Sequence, residues 1–260
     1  PLTTGPATIT RIITAGPTDG VWEIVDAASR AAVPASSTYE VSFEAFNVTL
    51  APTTWTNDPT TVGTPYTQSF TATNVFAAVS TVETATAFAS VSSRSATIAS
   101  GGAPQQYVIN VTSGTTSLNV TIGGASDPGA DLDLHLFNCT SGTCVPAGSS
   151  TGGTAEESVT VADPATGRWI ALVDPFAVPS GSTSYTYSDS LSNPAYGGVT
   201  VPANSATPRA AGESWSFNAT GTANTAAGAD RFLRATVAVR EATSNATLGS
   251  ATVIFANVTP

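Results

Sequence analysis

Short runs of alternating apolar and polar residues, separated by clusters of Gly, Pro, Asn and Asp, fill this chain. Successive side chains of a strand point to opposite faces, so this alternation predicts half-buried strands. It is strict in Asp131-Leu132-Asp133-Leu134-His135-Leu136-Phe137, with Leu turned inward and the polar residues outward. Tyr107, Ile109 and Val111 share one face, as do Leu118, Val120 and Ile122. Trp215, Phe217 and Ala219 form another such set, and Leu233, Ala235, Val237 and Val239 alternate against Arg234, Thr236, Ala238 and Arg240. Trp169 to Val173 is apolar on both faces, which predicts a central strand. Weaker alternation marks Gln68 to Val79, Thr84 to Ile98 and Ala251 to Ala256. Strands recurring every ~8–15 residues with turns between them predict β-sandwiches.

Breaks in this pattern divide the chain. In residues 1–53, Val21 to Val25 reads as a strand after the Asp19-Gly20 turn, and the alternation from Thr38 to Leu50 slips phase, as at a β-bulge. So few strands make a partial, fibronectin-like domain, to be completed upstream or by another chain. A Pro/Thr/Asn-rich stretch, Ala51 to Pro65, reads as a linker. Residues 54–190 then predict a large jelly-roll-like sandwich and residues 191–260 an immunoglobulin-like one. The expected fold class is therefore all-β, as tandem sandwich domains.

Composition narrows the function. Charged residues are 10 % of the 260, no Lys occurs, and the net charge is −10. Nucleic-acid binding is excluded, because it needs basic patches to release counterions. No apolar run reaches the length of a membrane-spanning helix. The N-terminus lacks a charged n-region and an apolar h-region, so the sequence reads as a mature chain or internal fragment. Cys139 and Cys144 are the only cysteines, and the Thr-Ser-Gly-Thr between them suits a hairpin disulfide, not zinc. Closing so small a loop contributes ~2 kcal/mol, and the bond implies a secreted, extracellular or cell-surface location. Seven of twelve Asn open glycosylation sequons: Asn47, Asn110, Asn119, Asn138, Asn218, Asn245 and Asn257. Abundant Ser and Thr create sequons by chance, and a glycosylating secretory host would also explain them.

Candidate chemistry is sparse. His135, the single imidazole, sits mid-strand with nothing beside it in sequence that marks an activated nucleophile. Asp127, Asp131 and Asp133 form the best constellation, two carboxylates on one strand face and a third from the preceding turn. Hard oxygen ligands so placed suit Ca²⁺, although such carboxylates more often end turns and solvate an outer face. Glu156 and Glu157 are adjacent, hence point oppositely on a strand and make a poor glycosidase pair. Among Trp22, Trp55, Trp169 and Trp215, only Trp55, in the expected linker, reads as exposed and available to stack on a sugar.

The stretch Ser126-Asp127-Pro128-Gly129-Ala130-Asp131-Leu132-Asp133-Leu134, followed by Glu156-Glu157-Ser158-Val159, Ala165-Thr166-Gly167, Val173-Asp174 and Val178-Pro179-Ser180-Gly181-Ser182-Thr183, resembles the bacterial pre-peptidase C-terminal domain. Val21-Trp22-Glu23-Ile24-Val25 and Leu248-Gly249-Ser250-Ala251 resemble the C-terminal tails of large secreted subtilisin-like serine proteases. The resemblance is densest over Ser126 to Ser188. It implies a sandwich that follows a protease domain in the same precursor, and in some members binds calcium. The Asp-(Ser/Thr)-Gly, His-Gly-Thr and Gly-Thr-Ser contexts of a subtilisin triad do not occur, so peptidase activity is not expected of this chain. The leading expectation is a non-catalytic accessory region that stabilises or anchors the protease, with no cofactor other than calcium. The alternatives are an extracellular filament subunit that binds copies of itself by strand exchange, and a carbohydrate-binding module.

Overall fold

The computed structural model describes residues 47–260; the expected partial domain at 1–53, including Trp22, lies almost entirely outside the described residues. The strands are β1 (Val48–Ala51), β2 (Thr54–Asn57), β3 (Thr60–Thr61), β4 (Pro65–Asn74), β5 (Val79–Ala85), β6 (Ala89–Ala99), β7 (Gln105–Val111) and β8 (Ser117–Gly123). They continue with β9 (Asp131–Asn138), β10 (Val145–Ser150), β11 (Glu157–Ala162), β12 (Gly167–Ala177) and β13 (Ser182–Ser192). After a 3₁₀ turn at Pro194–Tyr196 come β14 (Gly197–Thr200), β15 (Thr207–Arg209), β16 (Ser214–Ala223), β17 (Phe232–Glu241), β18 (Thr247–Phe255) and β19 (Val258–Thr259). The fold is all-β sandwich, as the alternation predicts.

Two separate cores form. In the first sandwich the sheet β1-β4-β16-β14 packs on β5, β17, β18 and β2. Alternation sets its faces: β4 turns Phe70 and Ala72 inward and leaves Thr67 and Thr71 exposed. On the outer face, Thr67 bonds Thr220 at 2.9 Å and Thr73 bonds Ser214 at 2.8 Å across the strand pair. Phe255 is fully buried at the centre, with ring centroids 4.8 Å from Phe88, 5.3 Å from Trp55 and 5.7 Å from Tyr66. Gly221 of β16 makes room for it, since a Cβ there would meet the Phe255 ring at 2.6 Å.

In the second sandwich β10-β9-β12-β7 faces β11-β8-β13-β6. Leu132, Leu134 and Leu136 of β9 lie in one core with Leu118, Val120 and Ile122 of β8. Strand β12 lies between β9 and β7, the central place its two apolar faces predict. Trp169 is buried, and its indole N–H donates to the Ala165 carbonyl at 2.8 Å, satisfying the one polar atom it takes inside.

The linear division at residue 190 differs from this arrangement. Strands β14 to β19 do not form a sandwich of their own, because they complete the one that β1 to β5 begin. The second sandwich, β6 to β13, is thus inserted within the first. Likewise Ala51 to Pro65 is no linker: it contains β2, whose Trp55 pairs with Val253 of β18, and β3, which pairs with β19.

Long strands join the two bodies. β6 pairs with β13 from Ala89↔Ser192 to Ala99↔Ser182, and its first residues also pair with β17. One nine-stranded sheet therefore runs through both sandwiches. At the crossing, the Arg231 guanidinium donates to the Asp189 carboxylate at 2.6 Å, to the Ser90 carbonyl at 2.9 Å and to the Ser90 hydroxyl at 2.6 Å. The aromatic centre of the first sandwich sets a prediction: Phe255→Ala destabilises the chain by about 3–5 kcal/mol in equilibrium denaturation.

Candidate functional site

Three of the residues singled out for chemistry, Asp131, Asp133 and His135, lie on the outer face of β10-β9-β12-β7. Because Leu132, Leu134 and Leu136 point into the core, Asp131, Asp133, His135 and Phe137 point out, each half-buried. Across the pairing with β12, Asp133 lies opposite Asp174, His135 opposite Leu172 and Phe137 opposite Ile170. Further across, Ile170 lies opposite Val108 of β7, which is 52 % exposed. On the other side Phe137 lies opposite Pro146 of β10. One end of the face is thus acidic and its middle apolar.

A register shift between Asp174 and Ala177 shapes the acidic end. Pro175 is buried there, and Phe176 stands out 72 % exposed between the level of Asp133 and that of Asp131. Such a bulge leaves residues of one strand without a partner on the other, and Phe176 is one of them. The sequence signal for it is a proline within an otherwise regular strand pattern, which marks an irregular ladder. Asp174 and Phe176 continue the outward alternation of Ile170 and Leu172, but which β9 residue each one meets is set by the register and not by alternation.

The three aspartates do different things. Asp127 is buried in the turn before β9, where its carboxylate accepts the backbone N–H of Gly129 at 3.0 Å and of Ser180 at 2.8 Å. Those bonds hold its pKa below the usual aspartate range. This contribution to stability is present above the unfolded pKa and is lost as pH falls through the lower, folded value. Asp131 keeps a buried Oδ1 with no hydrogen-bond partner among the described residues. The Asp133 pKa is raised, first by burial and then by the Asp131 carboxylate, with Asp174 and Glu157 adding and His135 opposing. Among the described residues, no group of three or more His, Cys, Asp or Glu side chains is placed to hold a metal ion.

The remaining sequence candidates are dispersed. No hydrogen bond among the described residues joins His135 to a hydroxyl or carboxylate. Glu156 accepts from the Gly124 N–H at 2.7 Å, whereas the buried Glu157 turns the other way to accept the Gly152 N–H at 2.7 Å and the Ser150 hydroxyl. Trp55 is 7 % exposed, so the sugar-stacking role expected of it is corrected: its ring is edge-on to Phe70 and Phe255 in the core. Among the sequons, Asn110, Asn218, Asn245 and Asn257 are exposed, while Asn47, Asn119 and Asn138 are half-buried. The Asn119 side chain donates to Ser158 and Thr160, and that of Asn138 accepts from Thr140.

Cys139 and Cys144 form a disulfide across the β9–β10 hairpin. Such a bond belongs to an oxidising compartment, extracellular or periplasmic. No helix among the described residues is long and apolar enough to cross a membrane.

Neither a family model nor a curated protein matches this sequence. Among solved structures, a periplasmic inhibitor of g-type lysozyme from Aeromonas hydrophila, PliG, is similar over 40 % of this chain and 88 % of its own, at 16 % identity and TM-score 0.30. That likeness is too slight to bear on fold or function.

The opposed carboxylates yield a prediction. A raised carboxyl pKa means that ionising Asp133 costs stability: the penalty is absent below the unfolded pKa and complete above the folded one. Asp133→Asn removes the cost of burying the charge and its repulsion by Asp131 and Asp174, and therefore raises the melting temperature at neutral pH by ~1–3 °C. The gain disappears in melts run below the aspartate range.

Proposed function

We propose that this chain is a non-catalytic accessory region of a secreted subtilisin-like serine protease, holding the enzyme rigidly and stabilising it outside the cell. The observation that carries the reading is the continuous nine-stranded sheet, in which β6 pairs with β13 of one sandwich and with β17 of the other. A spacer of two sandwiches on a flexible linker would leave its neighbour free to rotate; shared strands transmit orientation. The sequence likeness to pre-peptidase C-terminal domains over Ser126 to Ser188 supplies the parent enzyme. The disulfide and the scarcity of charge fit work outside the cell.

Mass determination of the protein from its natural source tests the reading. A precursor or mature species much heavier than 26.0 kDa that carries a subtilisin-like domain is expected. Deleting this region from that enzyme should lower its melting temperature while leaving its activity on a small peptide substrate. A free chain of 26.0 kDa, or purified chains that assemble into polymers, would contradict it.

A further inference from the structure

The outer face of β10-β9-β12-β7 breaks two rules that exposed sheet faces otherwise obey. It places Asp133 directly opposite Asp174, although like charges in that position destabilise the pairing. It also stands Phe176 72 % exposed beside them and leaves Val108, Ile170 and Phe137 in one apolar row across three strands. Local violations that cost stability without a structural return concentrate at functional sites.

We infer that this face docks an extended, cationic segment of another protein, with apolar side chains on the Val108–Ile170–Phe137 row and Lys or Arg beside Asp131, Asp133 and Asp174. Charge complementarity picks the occupant. The one arginine on this face, Arg168, pairs with Asn110 at the opposite end of β12, three side-chain rows from Asp174. Apart from His135, one side-chain row from Asp133, the acidic end has no basic residue of its own within the sheet.

Size and charge eliminate other occupants. Four strands at ~4.8 Å and six residues at ~3.3 Å give a patch of about 14 by 20 Å, enough for a short segment. A standard interface needs ~800 Å² per partner, far more than this. A second copy brings a net charge of −10. Residues 1–46 bring two arginines against five carboxylates, and Arg11 and Arg30 are too far apart in sequence for one short segment to carry both to a face that offers three aspartates. This inference is independent of the parent enzyme proposed above and applies to the chain by itself.

The test is fluorescence anisotropy of the full chain with two labelled peptides, one a Val/Phe half followed by a Lys half, the other with Glu in place of Lys. The Lys peptide should bind, more weakly as salt rises, and the Glu peptide should not. Phe176→Ser and the double variant Asp133→Asn/Asp174→Asn should each weaken binding about tenfold or more. The double variant should also melt no lower than the parent, which separates lost binding from lost folding. Asp163→Asn/Asp230→Asn removes the same charge elsewhere, at two exposed left-handed positions that Asn tolerates, and should bind as the parent does. Failure of the Lys peptide to bind, equal weakening by the Asp163/Asp230 pair, or indifference to Phe176→Ser would each overturn the inference.

Discussion

Everything distinctive about this molecule depends on β6, the strand that pairs with β13 in one sandwich and with β17 in the other. β6 and β13 stay hydrogen-bonded along eleven residues each, and the first residues of β6 also pair with β17. The chain must leave the first sandwich through β6 and return after β13, so these strands are at once the entry, the exit and the seam. Burying that seam brings Asp189 inside at 2 % exposure, and an isolated buried carboxylate would be costly. Arg231 answers it while also binding both polar atoms of Ser90, whose hydroxyl in turn donates to the Ala227 carbonyl at 2.7 Å. Removing one member of such a buried pair costs ~3–5 kcal/mol, so the seam is sensitive out of proportion to its size.

The second sandwich gains from this mounting a fixed direction for its outer sheet. β7, β9 and β12 turn Ile109, Val111, the three β9 leucines, Trp169 and Val173 into the core shared with β8 and β13, and what remains on the far side is the amphipathic face. Its acidic end is held in place by backbone. Asp127 ties the turn before β9 to Ser180 in the turn before β13, and the bulge at Pro175–Phe176 fixes where the aromatic ring emerges. Rigid strands position side chains more accurately than loops do.

Much of the secondary structure was legible from alternation, because each sandwich face is either dry or wet and a period of two reports which. The inward leucines of β9, the central place of β12 and the hairpin disulfide follow directly from residue order. Strand assortment was not legible. Alternation says which side of a strand is buried but not which strand lies beside it, and pairs such as Thr73 with Ser214 span a complete inserted domain. Trp55 was misjudged for a related reason: β2 has four residues in a Pro/Thr-rich setting, too few to display a period. At the candidate site, Asp131 and Asp133 sharing a face was legible, whereas the opposition of Asp174 to Asp133 required the β9–β12 register.

Scanning calorimetry of the whole chain reads the seam most directly. If shared strands and the Arg231–Asp189 pair make one cooperative body, the parent unfolds in a single transition whose calorimetric and van't Hoff enthalpies agree. Two resolved transitions in the parent chain, each carrying the enthalpy of one sandwich, would contradict the account.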